Sequence, residues 1–351
     1  MQHLEPWVVL RVIAGLVATA LLVRASFTAL TVIRKFDVMR ATEGQLALER
    51  RVELAATFVR VGAVAQVAAL LLSVLSADKL SRGIRGAMCA YGTFGSSPWG
   101  FRALFASVIA ALAAGTLAQL FAFDARVRSM ELARPLAWAT IAVAPLAVAD
   151  LALQVVFLSD LDLSVVASCC SVQLDAVASA RAVTTSGPRA LSVVLASIAG
   201  ASCIGLAILC ARRPRRSLAV ITGAIACVAL PLAMAAVILQ VAPYAFEVPQ
   251  HHCPFCLLRG DVAYVGYPLF GAMLLGAIWL FGAACSAIAM SAVPPSADPA
   301  TLARANVKDA WTSFASSRFK RGAIAWVVCA AMCVVPVARW AIVSNGASLF
   351  P

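Results

Sequence analysis

The sequence predicts an all-α membrane protein, a polytopic bundle of about eight transmembrane helices. Three observations carry this. Only 13% of the 351 residues are charged and 62% are hydrophobic, where a soluble chain would carry about a quarter charged. The apolar residues fall in eight runs of roughly 20 or more, the length a helix needs to cross hydrocarbon. No run shows the alternation of a barrel strand, and backbone groups cannot be left unpaired in lipid, so the crossing elements are helices.

In chain order the predicted spans lie near residues 6–33, 52–77, 101–123, 135–158, 189–211, 217–242, 267–292 and 322–343. The first is long enough to tilt. It lacks a basic start and a small-residue cleavage site, so it is expected to stay in the membrane. Between the first two spans, Val38, Leu46, Val52 and Ala56 recur at helical spacing and predict an amphipathic lead-in. Trp99 precedes the third span as an interfacial anchor, and Tyr264 and Tyr267 do the same before the seventh. Pro268 suits the first turn of that helix, where its missing N–H costs nothing. The proline-rich stretch 293–299 breaks the chain, and residues 300–320 predict a basic surface helix ahead of the last span. No internal repeat is evident, and no loop is long enough to hold a second core. The chain is therefore expected to be a single transmembrane domain, 1–351.

Orientation follows from the cations. Seventeen of the 28 Lys and Arg fall on one side, in groups such as Arg34-Lys35, Arg50-Arg51, Arg212 to Arg216 and Arg318 to Arg321. The other side holds seven, namely Lys79, Arg82, Arg85, Arg102, Arg181, Arg189 and Arg259. The positive-inside rule places the richer side in the cytoplasm. The predicted location is the cell inner membrane, multi-pass, with both termini and the cysteine-bearing loops 78–100, 159–188 and 243–266 on the outer, periplasmic side. The net charge of +12 is then a topology signal. No nucleic acid is expected as a partner.

This orientation sorts the eleven cysteines. Cys89, the adjacent pair Cys169 and Cys170, and Cys253 with Cys256 lie in the three outer loops, and six more lie inside spans, where Cys behaves as a small apolar residue. The densest group is His251-His252-Cys253-Pro254-Phe255-Cys256, which holds two of the three histidines. Thiolate and neutral imidazole are soft ligands and redox groups that packing in hydrocarbon does not require. Cys-Pro-Phe-Cys resembles the dithiol motif of glutaredoxin-type enzymes. The likeness covers four residues, and the strand–helix pattern of the thioredoxin fold is absent. It is not a haem attachment site, because Leu257 stands where that motif needs histidine.

Three functions are open to these residues. The leading one is thiol–disulfide exchange, with Cys253 and Cys256 as the exchanging pair, Cys169, Cys170 and Cys89 as relay or resolving thiols, and His251 and His252 tuning the thiolates. The alternative is a soft-metal site for copper or zinc using His251, His252, Cys253 and Cys256, with Cys89, Cys169 or Cys170 as a further ligand. The third is structural, with disulfides stapling the outer loops at about 2–4 kcal/mol each. The cofactors such chemistry draws on are a quinone or the soft ion itself. The expected partners are the lipid bilayer and a periplasmic thiol or metal-carrier protein.

Polar groups inside spans are costly and point to function or to helix linkage. Asp150 and Gln154 share a helix face, Gln66 is expected to link helices, and Arg11 lies at the same outer depth as Asp150, where it can either snorkel or pair with that acid. A single core acid argues against an ion-driven pump. Hydrolase and nucleotide-driven functions lack their residues altogether.

Overall fold

The computed structural model describes residues 5–36, 43–127, 132–162, 186–249, 251–291 and 301–350, without the side chains of 186–188 and 301–306. Its elements are α1 (Pro6–Lys35), α2 (Glu43–Leu80), α3 (Ala90–Gly95), α4 (Gly100–Val127), α5 (Ala133–Asp160), α6 (Ser186–Arg212), α7 (Arg216–Ala236), α8 (Ala242–Phe246), α9 (Gly266–Ser291) and α10 (Thr301–Val343). All but α3 and α8 are long and apolar enough to span a bilayer, which makes eight, and there is no strand among the described residues. The protein is thus a multi-pass, all-α membrane protein. The cysteines of the 159–188 loop, Cys169 and Cys170, and the terminal His3 lie outside the described residues.

Local sequence explains the helix ends. Pro6 occupies the first turn of α1, and Phe36 leaves it in extended conformation. Between α7 and α8 the chain runs through a π turn, Val237–Val241. It ends two residues before Pro243, whose ring and missing N–H disfavour the regular ladder in the preceding turn. One expectation is revised. The basic surface helix and the last span form one 43-residue helix, α10. Trp311, Phe314, Ala315 and Phe319 all lie on one face and are buried, and residues 301–321 contain neither Gly nor Pro. A face that packs against the protein core keeps the helix going where a surface helix would have turned away. The lead-in before the second span likewise belongs to α2, with Gln45, Leu48, Val52, Ala55 and Val59 buried in succession.

The long helices form two rings of four. In the first, α1 packs on α2, α2 on α4, α4 on α5 and α5 back on α1; in the second, α6, α7, α9 and α10 close in the same order. The rings meet where α4 packs on α9 and α10. The repetition is one of helix order, without a matching repeat in the sequence. Helix α9 sits at the seam, and 67% of its most apolar window is buried, against 44% or less for every other span. Small residues permit this approach. A Cβ on Gly115 of α4 would come within 2.6 Å of Ile278, and one on Gly276 within 3.1 Å of Trp326 on α10. In each ring the connection from the second helix to the third carries cysteine. Cys89 precedes α3 in the first, and Cys253 and Cys256 follow α8 in the second.

A candidate three-cysteine centre

Cys89 is the extended residue that begins α3, and its carbonyl accepts from Gly92 N at 3.0 Å. Cys253 is also extended and begins the 3₁₀ turn Pro254–Leu258, with Pro254 in the first position. Proline fixes φ there, which suits the start of a turn. The turn brings Cys256 round to the side of Cys253, and its carbonyl accepts from Arg259 N at 3.0 Å. The turn rests on the start of α9, where a Cβ on Gly266 would lie 2.9 Å from the Leu257 carbonyl group. Only glycine admits this approach without displacing one of them.

Three aromatic rings draw the two connections together. Phe255, between the cysteines, packs against Phe94 of α3 with ring centres 5.7 Å apart, and Phe94 packs against Phe157 of α5 at 5.6 Å. Phe94 and Phe157 are fully buried, and tilted pairs at this spacing add about 0.5–1.5 kcal/mol each beyond their area. The result is a compact sulfur group. The Sγ atoms of Cys89 and Cys253 are 3.5 Å apart, and those of Cys89, Cys253 and Cys256 all lie within 4.8 Å of one another. Their residues are 1%, 1% and 4% exposed. Metal–thiolate bonds of about 2.3 Å place sulfurs on a shared ion about 3.8–4.0 Å apart, so three thiolates at this separation suit a soft ion.

The structure brings together three of the five predicted cysteines and places the histidines beside them. His251 stacks on Phe246 with centres 4.1 Å apart, Phe246 also packs on the sulfur group, and His252 is partly buried. Two consecutive non-glycine residues after the turn, Ala263 and Tyr264, have φ of 54° and 56°, and Glu247 before it has 58°. These left-handed conformations cost free energy, so the tertiary structure holds the loop in place.

A second polar group lies deeper, inside the first ring. Of the two options open to Arg11, the structure shows the pair: Arg11 and Asp150 form an ion pair at 2.8 Å with both side chains wholly buried. Arg11 Nη2 donates to both Asp150 oxygens, at 2.8 and 3.0 Å, and to Ser107 Oγ at 3.1 Å, while Arg11 Nε donates to Ser73 Oγ. Gln66 Nε2 donates to Asp150 Oδ2 at 2.6 Å, and Ser107 Oγ donates to Oδ1. Ser73 in turn reaches Gln154 Oε1 at 3.4 Å. The group therefore draws on α1, α2, α4 and α5. Gly15 makes room for it, since a Cβ there would lie 2.5 Å from Arg11 Nη1. Sequence reading found Arg11, Gln66, Asp150 and Gln154. It missed Ser73 and Ser107, because serines in a span carry no signal until an ionic neighbour is known. It also missed the Phe94–Phe157–Phe255 column.

Fold and site define a class: a polytopic helical membrane protein with a buried three-cysteine cluster where the connections of its two helix rings meet. No protein-family model, curated protein or solved structure matches the chain.

Proposed function

We propose that this protein binds a soft metal ion, copper(I) or zinc, through Cys89, Cys253 and Cys256 at one surface of the membrane. The single observation that carries this is the convergence of three buried sulfurs within 4.8 Å. Thiolates select these ions, and burial favours a small ion over a protein disulfide, which needs an exposed sulfur to attack. Three thiolates on a monovalent or divalent cation leave net negative charge in an apolar setting, so a neutral imidazole from His251 or His252 is the fitting fourth donor. The ion itself supplies the binding chemistry, and the chain supplies a shape that favours three sulfurs. The cation bias supports a periplasmic position for this surface at the inner membrane, with a periplasmic metal carrier as the partner.

The test is metal analysis of the intact protein purified without oxygen. One equivalent of metal is expected, lost in Cys89→Ser, Cys253→Ser and Cys256→Ser and retained in Cys285→Ser. Retention of the metal in all three site variants would overturn the proposal.

Thiol–disulfide exchange is the second reading, and the 3.5 Å separation of Cys89 and Cys253 favours it. Attack by the Cys256 thiolate on Cys253 of a Cys89–Cys253 disulfide would form Cys253–Cys256 from the Cys256 lone pair and release the Cys89 thiolate with the electron pair of the broken bond, with no net oxidation or reduction. Mass mapping of disulfides in metal-free protein would find both bonds if exchange occurs. A single invariant bond, or none, would count against it.

A further inference from the structure

At the end of the bundle opposite the cysteines, three arginines gather. Arg126 stands in the last turn of α4, and Arg318 and Arg321 lie one turn apart on α10. The guanidinium carbons of Arg126 and Arg318 lie 5.4 and 5.0 Å from the centre of the same ring, that of the fully buried Phe314. Arg318 also feels both Arg126 and Arg321 as like charges. Its Nε is buried and has no hydrogen-bond partner among the described residues. The ion pairs found among the described residues are Arg11–Asp150, Arg259–Asp261 and Arg339–Glu247, none of which touches this group. The nearest acid in sequence, Asp124, lines a cavity with residues of α1, α2 and α5 and interacts with Arg60. Ser316 Oγ donates to the Ala211 carbonyl at 2.7 Å and so fixes this part of α10 against the end of α6, where Arg212 and Arg213 follow.

Like charges held together beside an apolar core call for an anion. We propose that Arg126, Arg318 and Arg321 bind the phosphate of an anionic phospholipid headgroup at the membrane surface opposite the cysteines. Phosphate is the shared chemistry, and two features point to a lipid as its source. Planar guanidinium groups suit phosphate oxygens. Directly after Arg321, the outward side chains of Ile324 and Val327 are 56% and 50% exposed, so an apolar strip for acyl chains begins where the cations end. Basic pockets between transmembrane helices recognise headgroups in this way.

Native mass spectrometry of the intact protein, exchanged from detergent into nanodiscs of phosphatidylcholine with added phosphatidylglycerol, tests this. The protein is expected to retain phosphatidylglycerol over phosphatidylcholine, and Arg321→Gln, whose side chain is exposed, is expected to weaken retention about fivefold. Arg126→Gln is expected to do the same, while the double variant Arg50→Gln/Arg51→Gln, which removes two exposed cations elsewhere, leaves it unchanged. Equal loss in that double variant would mean general surface attraction and overturn the site. A separate arm titrates inorganic phosphate. If it displaces phosphatidylglycerol at equal concentration, the free ion is the ligand and the lipid assignment falls.

Discussion

Asp150→Asn is the most informative single change in the first ring. The carboxylate accepts two hydrogen bonds from Arg11 and one each from Ser107 and Gln66. Asparagine keeps the shape but removes the charge. It also turns one acceptor into a donor facing other donors, and leaves the Arg11 cation, wholly buried, without its counterion. Breaking a buried pair from one side costs about 3–5 kcal/mol, roughly a hundredfold or more in the unfolding equilibrium. Arg11→Met should cost a similar amount, because it strands the carboxylate instead. The double variant Arg11→Met/Asp150→Leu removes both charges and should cost less than the two single changes together, by about 2 kcal/mol or more. Unfolding in mixed micelles by graded addition of a denaturing detergent measures all three. Additive losses, or an Asp150→Asn protein within about 1 kcal/mol of the parent, would refute the pairing argument.

Three further outcomes follow from particular contacts. Gly15→Ala should cost about 1–3 kcal/mol, since the new methyl meets an Arg11 guanidinium that Asp150 holds in place; in an Arg11→Met background the same micelle assay should show most of that loss gone. Phe94→Ala should destabilise by about 3–5 kcal/mol and speed alkylation of Cys89 and Cys253, because its ring holds the two connections together; an unchanged labelling rate would separate the aromatic column from the sulfur group. Ala263→Gly should be neutral to stabilising by about 0.5–1 kcal/mol, since it relieves a left-handed residue at φ 54°, and a clear loss in the micelle assay would place the strain elsewhere.

Much of the architecture was open to reading because lipid imposes two simple demands, apolar length and internal hydrogen bonding. Eight runs yielded eight long helices. The continuity of α10 was harder to see, since its basic residues mask the stripe of Trp311, Phe314, Ala315 and Phe319. The paired rings were harder still, because they rest on which faces meet, and alanine-rich helices look alike from every side. At the centre itself, His251, Cys253 and Cys256 are neighbours in sequence and were found by density alone. Cys89 is 164 residues from Cys253, and only shared loop polarity linked them. The rings that join them, Phe94, Phe157 and Phe255, look in the sequence like any other phenylalanine of an apolar chain.

The sulfur group straddles the boundary between the two rings, with one thiol on the first and two on the second. An ion held by all three would therefore act as a clasp between halves that otherwise touch chiefly along α4. Loading it would add stability in proportion to the logarithm of ion concentration over its dissociation constant, and stripping it would let the halves part at that face first. Metal supply outside the lipid could thus set how tightly the two bundles are coupled.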